Sequence, residues 1–316
     1  MSQNSSEQTH ATLVHVYGTD RSGSTMLDLI LGNAPDAFSC GEVAAWFRPF
    51  RRHHFQIECA CGQNPCPVWK KIKDVHESVF HTSVARELKM NYVIDSSKDI
   101  CWLIDAQKWA AVGGLRTVIL LIWKDPVSLA YSYWKRGREI SSWRRSFIKC
   151  YGRVMQLGLP FISIKYDDLM EDPPHSVEKL CNALEISYFE GKERFWEGKY
   201  HYLFGSSGVR AQVASGQSYF EKRKDFPKEF QQQMNKIEKQ LTEHDQTKQI
   251  IERLTQADIF HNRGGTFSTN TPEMPRFLPL WYYRKKFIRT LRRYIPETYN
   301  NQVISDVETI PVKHSL

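Results

Sequence analysis

The sequence lacks any hydrophobic run long enough to cross a membrane. Its longest apolar run, Val118 to Trp123, has the length of a β-strand, whereas a membrane helix needs about 20 apolar residues. The first ten residues, MSQNSSEQTH, are polar and lack the apolar segment of a signal peptide. These absences predict a soluble, cytoplasmic protein that begins with a disordered segment at residues 1–10.

A complete disulfide framework is also absent, because seven cysteines cannot all be paired. Four are scattered along the chain: Cys40, Cys101, Cys150 and Cys181. The other three are clustered in the pattern C-x-C-x4-C: Cys59, Cys61 and Cys66. This spacing differs from the C-x2-C pattern of common zinc sites and favours reduced or locally paired structural thiols. A zinc ion held by the three clustered thiolates and Cys40 is the alternative.

The composition lacks the bias of a disordered or fibrous chain, since 41% of the residues are apolar and 25% are charged. With 316 residues the chain can bury the core of one large α/β domain. Much of the net charge of +8 lies between Trp281 and Tyr294, where six residues are basic and none is acidic. This distribution argues against nucleic-acid coating. The basic segment could contact an anionic membrane or acceptor, or form a helix packed across the domain.

Apolar runs typical of strands alternate with runs typical of helices. The predicted strands are 11–17, 92–95, 116–123 and 161–166. The predicted helices are 25–31, 100–111, one from Pro126, 143–157, 174–184 and one or two in 226–256. Residues 37–91 are aromatic-rich and expected to be irregular. The alternation predicts an α/β fold with a central parallel sheet and helices on both faces.

A change in composition marks the expected domain boundary. From Arg263 the sequence is rich in Gly, Thr and Pro, and we place the boundary near 265. The predicted domain is 11–265, with a lid or acceptor region at 43–91, and 266–316 is a basic C-terminal extension.

The stretch GTDRSGST, residues 18–25, has the spacing of a Walker A loop but carries serine where that loop has its lysine. It follows a predicted strand and opens a predicted helix, whose N-terminal N–H groups can hold an anion. Arg21 is the candidate for the missing positive charge. The remaining candidate ligands of a phosphate are Ser22, Gly23, Ser24 and Thr25. A simple turn between strand and helix is the alternative interpretation.

A second candidate anion site lies in WKDPVSLAYSYWKR. Lys124 ends a buried strand, and Ser132 and Arg136 follow in the helix predicted from Pro126. A separation of four residues would put Ser132 and Arg136 one turn apart on one helix face. A solvated basic helix face is the alternative.

Together these stretches resemble the sulfotransferase superfamily that uses 3′-phosphoadenosine-5′-phosphosulfate (PAPS), which implies a P-loop nucleotide-binding, sulfotransferase-like architecture. In that family the first loop holds the 5′-phosphosulfate and the second strand–helix unit holds the 3′-phosphate, which implies these roles for RSGST and for Lys124 with Ser132. Lysine at 124 departs from the usual arginine and loses its bidentate fork, so Arg136 would contribute more. The stretch RSGSTMLDLILGNAPDAFSCGE is similar to protein-tyrosine sulfotransferases and to bacterial sulfotransferases of uncertain substrate.

The resemblance covers roughly residues 12 to 215 and implies roles for several further residues. Glu42 in CGE corresponds to the catalytic base, and Lys98 in DSSK to a cation that stabilises the transition state. Tyr166 in KYDDLMEDP lies on the nucleotide side. HYLFGSSGVR is similar to the segment of the family that closes over the nucleotide, which implies that role for Ser206, Ser207 and Arg210. Ser206 stands where that segment usually has asparagine.

The residue types suit sulfuryl transfer. A carboxylate such as Glu42 can deprotonate an acceptor hydroxyl, and Arg21 and Lys98 can stabilise the charge that develops during transfer. PAPS has no diphosphate, so the chemistry requires no metal, and adenosine 3′,5′-bisphosphate (PAP) is the product. The expected acceptor is a small metabolite, glycolipid or carbohydrate. The alternatives are a P-loop kinase using ATP and magnesium, protein-tyrosine sulfation, and a non-catalytic nucleotide- or polyanion-binding module.

The acceptor region is expected between Glu42 and Lys98. WFRPFRRHHF, residues 46–55, mixes aromatic and cationic side chains that could stack on a ring and hold an anionic acceptor. A lid whose aromatic side chains pack on the core is the alternative. The cysteine cluster follows this stretch and is expected to stiffen it.

Overall fold

The computed structural model describes residues 11–72, 74–217, 225–261, 275 and 277–292. By its contacts the chain divides into two units, Met1–Met274 and Pro275–Leu316. The boundary predicted near 265 lies outside the described residues. Among the described residues, no helix is both long and apolar enough to cross a membrane.

The first unit is built on a parallel five-stranded sheet. Its strands are β1 (Thr12–Tyr17), β2 (Ala37–Gly41), β3 (Tyr92–Asp95), β4 (Arg116–Trp123) and β5 (Ile162–Lys165). They lie in the order β2-β3-β1-β4-β5, and every adjacent pair is parallel. The predicted α/β architecture is confirmed. The order reverses direction between β1 and β4, which is where open sheets of this kind form a crevice beyond the carboxyl ends of their strands.

Helices connect the strands and follow the last one. The first eight are α1 (Ser24–Gly32), α2 (Ala44–Phe47), α3 (Pro67–Ile72), α4 (Phe80–Glu87), α5 (Ile100–Val112), α6 (Pro126–Trp134), α7 (Ser142–Phe147) and α8 (Arg153–Gln156). After β5 come α9 (Tyr166–Glu171), α10 (Pro173–Leu184), α11 (Ser207–Ser215), α12 (Lys228–Thr242) and α13 (Asp245–Gln256). A π-helical turn, Ile148–Gly152, joins α7 to α8. Short 3₁₀ turns occur at Arg52–Phe55, Glu77–Val79 and Phe195–Glu197.

The two faces of the sheet bury separate apolar clusters. Val14 and Val16 of β1 point to the face covered by α1 and α10. Leu13 points to the opposite face, where Trp102 of α5 and Phe80 of α4 pack. This alternation is the two-residue period of a strand. Because both faces are covered, β1 is buried along its whole length.

Two expectations were wrong. Residues 37–91 are not irregular, since they contain β2 and three helices. β2, with the sequence AFSCG, has little intrinsic strand preference and forms because it pairs with β3. The helix after Pro126 ends at Trp134, so Arg136 lies beyond it and not one turn from Ser132 on the same helix.

The second unit contributes one described helix, α14 (Leu280–Arg292). It includes Tyr283 and Phe287, which lie four residues apart among the basic residues of this segment. Tyr294 lies outside the described residues.

Candidate active site

Candidate residues follow all five strands of the sheet. The loop at residues 18–25, called the phosphate loop here for its predicted role, follows β1. Glu42 follows β2, and Lys98 lies three residues after β3. Lys124 and Tyr166 come directly after β4 and β5. Because the strands are parallel, their carboxyl ends share one edge, and the topology brings these residues to that edge.

The phosphate loop has the backbone of an anion-binding turn. Gly23, which precedes α1, has φ 104°, in the left-handed region that glycine adopts without strain. A Cβ at Gly23 would lie 2.6 Å from the ring of Tyr166, so the close approach also requires glycine. Ser24 and Thr25 begin the helix, and N–H groups of a first turn have no acceptor within the helix. These groups can bind an anion.

The side chain of Ser22 points beneath the loop. It is fully buried, and a Cβ at Gly18 would lie 2.5 Å from its Oγ. The Ser22 N–H donates to the Thr19 carbonyl (3.1 Å) and closes the turn. This geometry indicates that Ser22 shapes the loop, while the helix-start residues present their N–H groups.

Tyr151 fixes the start of the loop and was not found from the sequence. It lies in the π-helical turn, fully buried, where its hydroxyl donates to the Ile122 carbonyl of β4 (2.8 Å) and accepts from the Thr19 N–H (3.3 Å). It therefore ties the loop to the neighbouring strand. A tyrosine 132 residues away along the chain gives no sequence signal for this contact.

Glu42 and Lys98 form an ion pair across the ends of β2 and β3. Lys98 Nζ donates to Glu42 Oε1, and both side chains are partly exposed, at 18% for Lys98 and 29% for Glu42. Lys98 is held by its neighbours, since Ser97 N–H donates to Asp95 (2.8 Å) and Asp99 caps α5. A carboxylate and an ammonium group next to a phosphate loop provide a proton acceptor and a cation in one place.

Three arginines converge beside the loop. Burial lowers the pKa of Arg21, the positive charge of Arg136 lowers it further, and Arg138 acts in the same direction against the opposing Asp20. Arg138 also lies 3.7 Å from Asp20. Such mutual repulsion is relieved when an anion binds between the cations. Arg138 was not singled out from the sequence, because its place depends on the turn after α6.

The second strand–helix unit is only partly arranged as expected. The ammonium of Lys124 lies 3.8 Å from the centre of the Tyr166 ring, whose edge packs on Gly23. Ser132 Oγ donates to the Ser128 carbonyl (2.9 Å), so its oxygen can still accept a hydrogen bond. Lys124 and Tyr166 thus border the loop, and Ser132 is a buried residue of α6.

Residues 200–206 run between β2 and the phosphate loop. The Leu203 carbonyl accepts from Glu42 N–H (2.9 Å), and Ser206 N–H donates to Thr25 Oγ1 (3.2 Å). Arg21 donates to Ser206 Oγ (3.5 Å). Ser207 begins α11, and Arg210 lies one turn into this helix. Of the three residues predicted in this segment, Ser206 therefore contacts the loop directly.

Solved structures resemble the fold of this chain, although no protein-family profile and no curated protein sequence matches it. The sulfotransferase domain from the curacin biosynthetic pathway aligns with 77% of this chain and 97% of its own length, with a TM-score of 0.51 and 13% identity. The chain has a sulfotransferase-type fold. The sulfotransferase domain from the Synechococcus PCC 7002 olefin synthase aligns with 73% of this chain and 94% of its own length, with a TM-score of 0.45 and 14% identity.

The aromatic side chains of the stretch 46–55 fall into two groups, one packed on the core and one exposed to solvent. Trp46 and Phe47 pack against Phe80, with ring centres 6.1 and 5.2 Å away. Phe50 and Phe55 are more than half exposed, at 54% and 63%. The aromatic residues nearest to Glu42 in sequence therefore belong to the core, and the later ones face solvent.

The clustered cysteines are free thiols gathered around a histidine. Cys59, Cys61 and Cys66 lie with His201, which was not considered from the sequence. Cys40, the fourth ligand in the alternative zinc interpretation, is not part of this group among the described residues.

Asp28, a buried carboxyl group of α1, is expected to make the stability of the protein depend on pH. Burial raises the pKa of Asp28 to about 7, against the opposing effect of hydrogen bonds such as that from Ser96 Oγ (2.6 Å). Between about pH 4 and pH 7 the folded protein keeps a proton that the unfolded chain releases. The free energy of unfolding therefore falls as pH rises through this range, and this contribution levels off above pH 7.

Asp28→Asn should remove this contribution, because the amide does not ionise. Between pH 5 and pH 7.5 we expect the wild type to lose about 2 kcal/mol more stability than the variant, measured by urea unfolding. Asp245→Asn, which changes an exposed carboxylate, is the control. Equal pH dependence in wild type and Asp28→Asn would contradict the expectation.

Proposed function

We propose that the protein is a sulfotransferase that uses PAPS as donor and an acceptor hydroxyl as nucleophile. The observation that carries the proposal is the ion pair of Glu42 and Lys98 at the strand edge where the phosphate loop also lies. The fold alone does not assign a donor. The residue types at this edge suit a phosphosulfate, because the loop has serine where ATP-binding loops have lysine.

The phosphate loop and its arginines would bind the donor. The N–H groups of Gly23, Ser24 and Thr25 would hold the 5′-phosphosulfate, and Arg21 would supply positive charge. Arg136, with Lys124 and Ser132, would bind the 3′-phosphate. Tyr166 would border the nucleotide, and the segment with Ser206, Ser207 and Arg210 would cover it.

Glu42 and Lys98 would carry the chemistry. PAPS would supply the sulfuryl group, whose bond to the 5′-phosphate oxygen breaks as the acceptor oxygen bonds to sulfur. Glu42 would accept the hydroxyl proton, and Lys98 would stabilise the negative charge left on the phosphate oxygen. Arg21 would stabilise the transferred group. None of these residues needs a metal ion for its role.

The exposed half of the stretch after Glu42 bears on the acceptor. Phe50, Phe55 and Ile57 are exposed, and so are Arg51 and Arg52 between them. Such a surface suits an acceptor with an apolar or ring portion near a negative charge, such as a small metabolite, a glycolipid or a carbohydrate. Peripheral contact of the basic C-terminal segment with a membrane would bring a lipid acceptor to the same protein.

Thermal stabilisation by nucleotides tests the donor. At a concentration 100 times its Kd, PAP should stabilise the protein by about 2.7 kcal/mol, which corresponds to a rise in Tm of several degrees, with or without magnesium. ATP with magnesium should give a much smaller shift. Stabilisation by ATP with magnesium and not by PAP would overturn the proposal in favour of a kinase.

A further inference from the structure

The cluster formed by three cysteines of the region 43–91 and His201 has the composition and geometry of a metal site. The Sγ atoms of Cys59, Cys61 and Cys66 and a ring nitrogen of His201 all lie within 4.8 Å of one another. His201 Nδ1 is 3.2 Å from Cys66 Sγ and 3.8 Å from Cys59 Sγ. Ligands of a tetrahedral zinc ion, with Zn–S of about 2.3 Å and Zn–N of about 2.0 Å, lie about 3.5 to 3.8 Å apart.

The local backbone suits a chelating loop. Cys61 N–H points at Cys59 Sγ (3.5 Å), a contact that favours a thiolate. The Gly62 N–H closes a turn onto the Cys59 carbonyl (3.0 Å), and Gly62 has φ 72°, which allows the chain to turn back towards Cys66. Two ligands, Cys59 and Cys66, are buried, so the group has the shielded character of a structural site.

His201 is fixed from the other side of the cluster. The Trp69 indole N–H, on α3 directly after Cys66, donates to the His201 carbonyl. The backbone of the next residues pairs with the loop, since Ala60 N–H donates to the Tyr202 carbonyl (3.1 Å) and Leu203 forms a bridge with Cys59. The four ligands therefore come from two segments that are already held together.

The geometry points to a structural zinc site formed by Cys59, Cys61, Cys66 and His201. Three thiolates and one imidazole in a tetrahedral arrangement are typical of zinc, and four protein ligands leave no position for a reacting group. The ion would crosslink the loop 59–66 to the segment 200–206. That segment contacts Glu42 through Leu203 and the phosphate loop through Ser206, so the ion would fix the frame on which the candidate site rests.

Metal content tests the inference without any assay of activity. Protein purified in metal-free buffer without chelator should carry about one zinc ion per chain by mass spectrometry of the metal. Cys61→Ser and Cys66→Ser should each lose most of it. Cys181→Ala, which changes a buried cysteine of α10, should retain it. Wild-type protein without zinc, or unchanged zinc in Cys66→Ser, would overturn the inference.

Cobalt spectroscopy gives a second test, which does not depend on variants that lose a metal ligand. Replacement of the metal by Co²⁺ should give the absorption of a tetrahedral thiolate site in the wild type. His201→Cys should keep one ion and increase the thiolate charge-transfer absorption, since it adds a fourth thiolate. An unchanged spectrum in His201→Cys, or a disulfide among the three cysteines in the non-reduced protein, would exclude the site.

Discussion

Glu42→Gln is expected to reduce turnover by about 10²- to 10⁴-fold while PAP raises the Tm as in the wild type. The amide cannot take the acceptor proton, but its oxygen can still accept the hydrogen bond from Lys98 that is present now. The loss of a partly exposed ion pair costs little stability, about 0–1 kcal/mol. The measurement is turnover of sulfur-labelled PAPS with the acceptor, together with the PAP-induced shift in Tm.

The acceptor for this assay can be found with the same labelled donor. Incubation with a cell extract and mass spectrometry of the labelled product would identify it and would distinguish a small molecule, lipid or carbohydrate from a protein tyrosine. Glu87→Gln, at the exposed end of α4, is the matched control and should keep full turnover. Full turnover in Glu42→Gln on the identified acceptor would remove Glu42 from the role of base.

Arg21→Ala is expected to weaken PAP binding by about 10- to 150-fold, the value of a charge-assisted hydrogen bond of about 1.5–3 kcal/mol. The free protein should not lose stability to a similar extent. Arg21 is half-buried, its pKa is lowered by burial and then by the charge of Arg136, and its contact with Ser206 is long at 3.5 Å. Its charge is therefore unfavourable until an anion binds, so its removal relieves repulsion.

A large loss of affinity without a comparable loss of stability distinguishes a binding residue from a structural one. Isothermal titration with PAP gives the affinity, and the Tm without ligand gives the stability. Adding Arg136→Ala to Arg21→Ala should weaken binding further. Arg145→Ala, on the exposed side of α7, should bind PAP as the wild type does. Wild-type affinity in Arg21→Ala would show that the loop binds no phosphate through this residue.

Long apolar runs made several elements predictable. In β4, Val118 to Trp123 form a continuous run of buried apolar side chains, and the predicted bounds of the strand agree with the structure. The backbone turn at residues 18–25 and the helix after it were predictable, because the spacing of glycine and serine is typical of such a local turn. Such features depend on residues close together in the chain, so the sequence contains the necessary information.

Weak local signals made other elements unpredictable. β2 has small and polar residues, and its strand conformation depends on hydrogen bonds to β3, about 50 residues further along the chain. The end of α6 at Trp134 carries no proline or glycine stop of its own until Gly137, so the sequence suggested a longer helix. Arg136 consequently approaches Arg21 from a turn and not from a helix face.

The sequence by itself determined the α/β alternation, the phosphate loop and the residue types that suit sulfuryl transfer. The tertiary structure decided which of those side chains meet. Glu42 and Lys98 are 56 residues apart, and Cys66 and His201 are 135 residues apart. Contacts over such separations are set by the order of the strands and the paths of the crossovers, which depend on the packing of the whole sheet and not on any local pattern.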